Sequence, residues 1–224
     1  MKVFQIGAAG GVGRRVARLL ADSGEAATGM HRNPAQADPV RAAGATPIQG
    51  DLIADRVETL AGHLQGHDAV VFSAGAHGTG LDQTSAIDGK GLEKAADAAA
   101  LAGVARFVLV SAFPEAWRER ERSAGFEHYI RVKKLADAYL AATDLDWIIL
   151  RPGDLLDTPG TGYVTAAAAA EYGSVPRDDV AAFIVAALRE PALRRAIVEL
   201  TSGPMPVGEA VTRLAGTARG RPGA

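Results

Sequence analysis

The sequence predicts an α/β protein in which helices cover both faces of a doubly wound parallel sheet. Short apolar runs alternate with alanine-rich segments up to about residue 150. Runs such as Phe107–Val110 are apolar throughout, which is typical of strands buried on both faces. The predicted strands are Lys2–Ile6, Ala26–Met30, Thr46–Gln49, Ala69–Ser73, Arg106–Val110 and Asp146–Leu150. The predicted helices between them are Gly11–Ser23, Pro34–Ala43, Arg56–Leu64, Asp82–Leu101 and Phe126–Ala142.

The residues after Leu150 predict a short C-terminal extension, because roughly seventy residues rarely form an independent domain. We therefore expect one domain over residues 1–215, with 151–215 as a substrate-side extension and 216–224 as a flexible tail. The alanine run 166–170 is interpreted as a short helix or extended filler. The other elements expected in the extension are a loop at Arg151–Gly162, a helix at Arg177–Arg189, a strand at Ala196–Leu200 and a helix at Pro206–Ala215.

Composition excludes several classes of function. The 224 residues carry a formal net charge of −2, which gives no electrostatic footprint for nucleic acid or an anionic membrane. Cysteine is absent, so thiol chemistry and disulfides are excluded. The N-terminus has no signal-peptide pattern, and no apolar run is long enough to span a membrane. A cytoplasmic protein with a small-molecule substrate is expected.

A glycine-rich turn follows the first strand and opens the first helix, which is the context of a dinucleotide-binding (Rossmann) fingerprint. Gly7 permits the tight turn, Gly10 lets the backbone approach a pyrophosphate, and Gly13 allows close packing of helix and strand. The diphosphate would lie on the free N–H groups of the helix N-terminus. The alternative is a turn that serves packing alone. The predicted contacts here are Gly7, Ala9, Gly10, Gly11, Val12 and Gly13.

The end of the second strand favours NADP(H) over NAD(H). An NAD site usually has an acidic residue there, and none occurs from Ala26 through Ala37. Arg32 could bind a 2′-phosphate, with Arg14 assisting. The alternative is that Arg32 is a solvated loop residue.

Two further strand ends are expected to contact the adenosine half of the cofactor. Asp51 and Leu52 follow the third strand, where an aspartate could accept a hydrogen bond from the adenine amino group. Ser73, Ala74 and Gly75 end the fourth strand with small residues, which suit a ribose passing close to the backbone.

Tyr129 and Lys133 are candidate catalytic residues, because a spacing of four places them on one helix face. A tyrosine becomes a useful acid or base when an ammonium stabilises its phenolate, and Lys133 would also hold the nicotinamide ribose of the cofactor. Ser111, at the end of the fifth strand, would orient a substrate carbonyl. Equally, Tyr129 could be packing at the edge of the helix core stripe and Lys133 a solvated neighbour.

These motifs, together with Gly50-Asp51-Leu52, Leu145–Gly153 and Val175–Ala181, resemble the atypical short-chain dehydrogenase/reductases, in particular the NmrA-like NAD(P)H-binding group. The resemblance implies NADP(H) binding and serine–tyrosine–lysine roles for Ser111, Tyr129 and Lys133. It also implies that Arg151, Pro152 and Gly153 lie beside the nicotinamide. The group contains reductases of flavins or quinone-like acceptors and regulators that bind dinucleotide without turnover.

The main hypothesis is therefore an NADP(H)-dependent oxidoreductase that transfers a hydride to a small carbonyl, quinone or flavin acceptor. The alternative is a non-catalytic NAD(P)-binding regulatory or redox-sensing protein. A sugar-nucleotide epimerase is disfavoured, because its substrate usually needs a larger C-terminal region than residues 151–224. A metal site at His63 and His67 is set aside, since no third ligand is evident.

Overall fold

The computed structural model describes residues 1–76 and 78–219. The strands are β1 (Lys2–Ile6), β2 (Ala26–His31), β3 (Thr46–Gln49), β4 (Ala69–Phe72), β5 (Arg106–Val110), β6 (Asp146–Pro152), β7 (Asp154–Leu156), β8 (Tyr163–Ala167), β9 (Ser174–Pro176), β10 (Ala196–Ser202) and β11 (Met205–Pro206). The helices are α1 (Gly11–Asp22), α2 (Ala37–Ala42), α3 (Val57–Leu64), α4 (Leu81–Thr84), α5 (Leu92–Ala102), α6 (Ala124–Ala141), α7 (Arg177–Leu188) and α8 (Val207–Arg219). A 3-10 turn (Pro34–Gln36) precedes α2, and a π-helical segment (Ser85–Gly91) joins α4 to α5.

The large sheet has the strand order β11-β8-β10-β6-β5-β4-β1-β2-β3. Strands β1 to β6 pair in parallel in the order of a Rossmann fold, which confirms the predicted fold class. Strand β10 extends this sheet in parallel beside β6, and β8 then pairs with β10 in the antiparallel direction. The carboxyl ends of the parallel strands therefore lie along one edge, where ligands bind in such folds.

Two apolar layers hold the helices against the sheet. Helices α1, α7 and α8 pack on one face, with Val16, Leu20 and Phe183 in the core. Helices α3, α5 and α6 cover the other, where Phe72 and Phe107 are buried. Among the described helices, none is both long and apolar enough to cross a membrane.

The predicted elements before Leu150 agree with the structure to within two residues at most ends. The main difference is the predicted helix Asp82–Leu101, which the π-helical segment interrupts. Gly89 and Gly91 lie in that segment, and glycine weakens a regular helix. The extra residue per turn of a π-helix re-aims the side chains around it, Asp88 among them.

The structure corrects two predictions for the extension and decides between the alternatives of a third. The expected loop Arg151–Gly162 contains the end of β6 and all of β7. The alanine run is extended at its start, where it belongs to β8, because pairing with β10 outweighs the helix preference of alanine. The expected tail is helical as far as Arg219, where α8 ends, and residues 220–224 lie outside the described part of the chain.

Candidate functional site

A groove runs along the carboxyl edge of the sheet. It consists of a first cavity of about 450 Å³ beyond β1 to β4 and a second of about 550 Å³ beyond β5 and α6. Both cavities are lined by Gly10, Ser73, Ala74 and Gly75. The glycine turn therefore lies at the middle of the groove, with one cavity on each side.

The glycine turn has the backbone geometry that the sequence predicts. Gly7 has a φ of +92°, and a β-carbon there would lie 2.5 Å from the backbone nitrogen of Ala74. A β-carbon on Gly13 would collide with the carbonyl oxygen of Gly7. The Gly10 N–H donates to that same oxygen at 3.0 Å and closes the turn. A larger residue at position 7 would push the turn away from the backbone that follows β4, and one at position 13 would push α1 away from the turn.

The N-terminus of α1 suits an anion. No side chain caps it, and its first turn contains no acidic residue. The first helical N–H groups lack partners within the helix, and Gly10, Gly11 and Val12 line the second cavity. Unpaired donors at the positive end of a helix fit a dinucleotide diphosphate.

The first cavity contains polar side chains that could bind the adenosine half of a dinucleotide. Arg32 lines it and forms no ion pair within residues 1–76 and 78–219, so its guanidinium is available to a ligand. The turn behind it is fixed, because the Asn33 side chain accepts a hydrogen bond from the Ala35 N–H at 3.0 Å. His31 is buried, with its Nδ1 3.1 Å from the Asn33 carbonyl oxygen. Arg14 is exposed on α1 and lines neither cavity.

The loop after β3 forms the far wall of the first cavity. Asp51 and Leu52 both line it, as do Ala9, Ser73, Ala74 and Gly75. The Asp51 carboxylate accepts the Ile53 N–H at 2.8 Å, which orients it. Lys94 donates to the carbonyl oxygens of Leu52, Ile53 and Asp55 and holds the loop in place.

The second cavity brings together the three predicted catalytic residues. Ser111, Tyr129 and Lys133 all line it. The Lys133 ammonium lies 6.0 Å from the centre of the Tyr129 ring and donates to the Val110 carbonyl at 3.1 Å. Within the described chain, no hydrogen bond joins the Tyr129 hydroxyl to a protein group. The phenol is therefore available to a molecule in the cavity.

Asp88 is a site residue that the sequence analysis missed. Its buried carboxylate lies 3.3 Å from the Lys133 ammonium and accepts the Ala76 N–H at 2.9 Å. The ion pair of Asp88 with Lys133 neutralises the lysine charge at the wall of the cavity. Gly89 and Gly91 are the only sequence signal for an irregular helix near Asp88. They do not indicate the direction of the Asp88 side chain.

Burial and charge set the protonation of the pair on α6. Burial raises the pKa of Tyr129 above its ordinary value, and the nearby carboxylates of Asp88 and Asp137 raise it further, against a lowering by Lys133. Burial opposes the charge on Lys133, but its attraction to Tyr129, Asp88 and Asp137 outweighs that penalty and raises the pKa of the lysine. At neutral pH the site therefore holds a neutral phenol and a charged ammonium.

A second buried carboxylate engages Ser111. The Ser111 hydroxyl donates to Oδ1 of Asp137 at 2.5 Å. Asp137 lies on α6, one helical turn after Lys133. Arg151 donates to Asp137 Oδ2 through Nε at 2.9 Å, and its Nη2 lies at the same distance. Burial raises the pKa of Asp137, although the hydrogen bond from Ser111 and the Arg151 charge act against that shift. The Tyr129–Lys133–Asp137 spacing of four could have revealed this residue.

The residues Arg151, Pro152 and Gly153 line neither cavity of the groove. Arg151 turns toward Asp137 and lies 3.9 Å from Glu199 on β10. The Gly153 N–H donates to the Leu200 carbonyl at 2.9 Å. Their expected place beside the nicotinamide stays a prediction, because the structure gives Arg151 contacts with α6 and β10 and Gly153 a contact with β10.

Side chains from the segment between β5 and α6 (residues 111–123), from the start of α6 and from the extension line one part of the second cavity. The Trp117 ring stacks on Phe126 at 4.5 Å between centres, and its indole N–H donates to Asp154 at 3.3 Å. Leu155 and Arg177 line the wall opposite α6. The sequence predicts that the irregular stretches 113–126 and 154–163 shape the substrate pocket, and Trp117, Phe126 and Leu155 fall within them. Arg177 lies outside both stretches, and its place in the cavity depends on how the extension packs.

Comparisons with known proteins agree with this geometry. A family model described as NAD(P)H-binding matches residues 7–191. An uncharacterised sugar epimerase of Bacillus subtilis is 40% identical over 216 residues, covering 96% of this chain and 100% of the relative. A putative NAD-dependent epimerase/dehydratase from Bacillus halodurans is 31% identical with a TM-score of 0.87, covering 96% and 100% of the two chains. An anaerobilin reductase from Escherichia coli O157:H7 is 26% identical with a TM-score of 0.77, covering 92% and 98%.

Proposed function

Because the chain belongs to the NAD(P)H-binding family, we propose that it is an NADP(H)-dependent oxidoreductase that reduces a small carbonyl, quinone or flavin acceptor. The observation that carries the proposal is the continuous groove. It joins the uncapped N-terminus of α1 to a cavity with a free tyrosine hydroxyl beside a charged lysine. When bound, the reduced nicotinamide supplies the hydride.

The chain's own residues would manage the proton and the acceptor. Tyr129 donates its phenolic proton to the acceptor oxygen as the hydride reaches the neighbouring carbon. Lys133 stabilises the phenolate that results, until solvent returns the proton. The Ser111 hydroxyl donates its hydrogen bond to Asp137, so toward the cavity its oxygen can only accept. It would therefore orient a hydroxyl or N–H group of the substrate, and not the carbonyl that the sequence led us to expect.

The protonation of Tyr129 favours reduction over epimerisation. An epimerase of the short-chain type first needs a base that removes a proton from a sugar hydroxyl. Here burial raises the pKa of Tyr129, and the carboxylates of Asp88 and Asp137 add to the shift, so the resting phenol holds its proton and can donate it but cannot act as the initial base. The second cavity must also accept the nicotinamide ribose, which leaves space for a small acceptor.

One observation favours a second candidate, a dinucleotide-binding regulator. Lys133 and Ser111 both have protein partners, so neither needs a substrate to satisfy it. Following NADPH oxidation at 340 nm with carbonyl, quinone and flavin acceptors distinguishes the two. The reductase proposal requires turnover with at least one class of acceptor. Binding of NADPH without turnover across all three would support the regulator.

The preference for NADP(H) is tested with Arg32→Ala. We expect this change to cost about 1–3 kcal/mol of NADPH affinity and to leave NADH affinity nearly unchanged, because only NADPH carries the 2′-phosphate. Calorimetric titration of both cofactors measures the difference. Arg18→Ala is the matched control, since Arg18 is exposed on α1 and lines neither cavity. Equal losses for both cofactors would reject the 2′-phosphate assignment.

A further inference from the structure

We propose that Arg177 binds the cofactor diphosphate and that it exchanges Asp157 for the phosphates when the cofactor enters. This inference rests on the proposed dinucleotide site and adds a residue from outside the glycine turn. Arg177 is the first residue of α7 and follows β9, so it belongs to the extension. It would make the extension part of the cofactor site.

The position of Arg177 is the first argument. Its side chain crosses the glycine turn at the N-terminus of α1. A β-carbon on Gly11 would lie 2.9 Å from Arg177 Cδ and 3.0 Å from Nε. Arg177 also lines the second cavity together with Gly10, Gly11 and Val12. A diphosphate held by the first N–H groups of α1 would therefore lie within reach of this guanidinium.

The present partners of Arg177 are the second argument. Its Nη1 donates to the Leu155 carbonyl at 3.1 Å and lies 3.0 Å from Asp157 Oδ2. The Asp157 side chain is 75% exposed, so this ion pair is screened by solvent and contributes little to stability. A diphosphate in the groove offers more charge and several oxygens to the same guanidinium.

Charge balance around Asp157 is the third argument. Asp157 also lies 3.6 Å from Arg15, which is held more closely by Asp178 at 2.5 Å. Without a ligand, these two arginines and two aspartates balance. If Arg177 turns to the diphosphate, Asp157 keeps Arg15 as a partner, so the exchange leaves no buried charge unpaired.

The loop that carries Asp157 is held independently of the ion pair. The Gly160 N–H donates to Asp178 at 3.1 Å, and the Gly162 N–H donates to Asp179 at 2.7 Å. Replacing Asp157 should therefore leave the loop in place. The binding of the diphosphate by Arg177 and the competition from Asp157 can therefore be tested by separate substitutions.

The test is a calorimetric titration of NADPH with the full chain and the variants Arg177→Gln and Asp157→Asn. We expect Arg177→Gln to weaken NADPH binding about 10- to 100-fold, because a charge-assisted contact is lost. Asp157→Asn should tighten it about 2- to 5-fold, because the competing carboxylate is removed. The matched control is Arg189→Gln, because Arg189 is exposed, follows the last residue of α7 and pairs with Glu25. This change should leave the NADPH affinity unaltered.

Adenosine 2′-monophosphate, which lacks the diphosphate, serves as the second probe. Its affinity should be unchanged in Arg177→Gln, provided that the variant melts at the same temperature as the parent. The inference fails if Arg177→Gln binds NADPH like the parent, if it weakens both ligands equally, or if Asp157→Asn weakens NADPH binding as a purely structural ion pair would. If the parent itself binds no NADPH, the proposed function fails as well.

Discussion

Replacing Tyr129 with phenylalanine is expected to lower the rate of NADPH oxidation about 10²- to 10⁴-fold, the usual contribution of a positioned general acid. The change removes only the hydroxyl, which has no hydrogen-bonding partner within the described chain. Folding and NADPH affinity should therefore stay close to those of the parent. Steady-state kinetics together with a cofactor titration measure both effects.

The matched control is Tyr139→Phe. Tyr139 lies on the same helix, and its hydroxyl donates to Asp97 at 2.7 Å on the protein surface, outside the groove. This variant should keep full turnover. If Tyr129→Phe keeps parental turnover, the phenol is not the proton donor.

The pH dependence of turnover follows from the same assignment. A proton donor is active below its pKa, and its activity is lost as the pH rises through that value. Burial raises the pKa of Tyr129 above its ordinary value of about 10, with Asp88 and Asp137 adding to the shift. Deprotonation of Tyr129 should therefore cause no loss of activity between about pH 6 and pH 9. An alkaline loss within that range that Tyr129→Phe abolishes would contradict the raised pKa of Tyr129.

Replacing Asp137 with alanine is expected to have the largest effect on stability, a loss of about 3–5 kcal/mol in the free energy of unfolding. The change leaves the Arg151 guanidinium, whose side chain is only 16% exposed, without its closest partner. It also removes the acceptor of the Ser111 hydroxyl. Urea denaturation followed by circular dichroism gives the difference.

Two further variants show whether the loss comes from the uncompensated charge. Asp97→Ala removes an exposed carboxylate and should cost less than about 1 kcal/mol. The double variant Asp137→Leu with Arg151→Met removes both buried charges and should recover part of the stability. If Asp137→Ala lowers the free energy of unfolding by less than about 1 kcal/mol, the contacts of Asp137 with Ser111 and Arg151 do not stabilise the site.

The first half of the fold was predictable because its signals are local. The central parallel strands β4, β5 and β6 carry continuous apolar runs, and glycine at positions 7 and 13 is required by backbone geometry alone. In the extension, the alanines of β8 favour a helix, yet pairing with β10 makes them a strand. Pairing between distant segments decides such cases, and local sequence does not show it.

The candidate site also contains residues that local sequence predicts and residues whose positions depend on tertiary packing. Tyr129 and Lys133 could be found because both lie on one helix, and Asp137 follows the same spacing. Asp88 could not be found, because its direction depends on the π-helical segment. Arg177 reaches α1 only because the extension folds back onto the glycine turn.

A calorimetric titration of the protein with NADPH tests the central claim most directly. The groove predicts saturable binding of one NADPH per chain, with its affinity falling as salt screens the charged phosphates. If neither heat nor a change in melting temperature appears at millimolar NADPH, the groove is not a dinucleotide site.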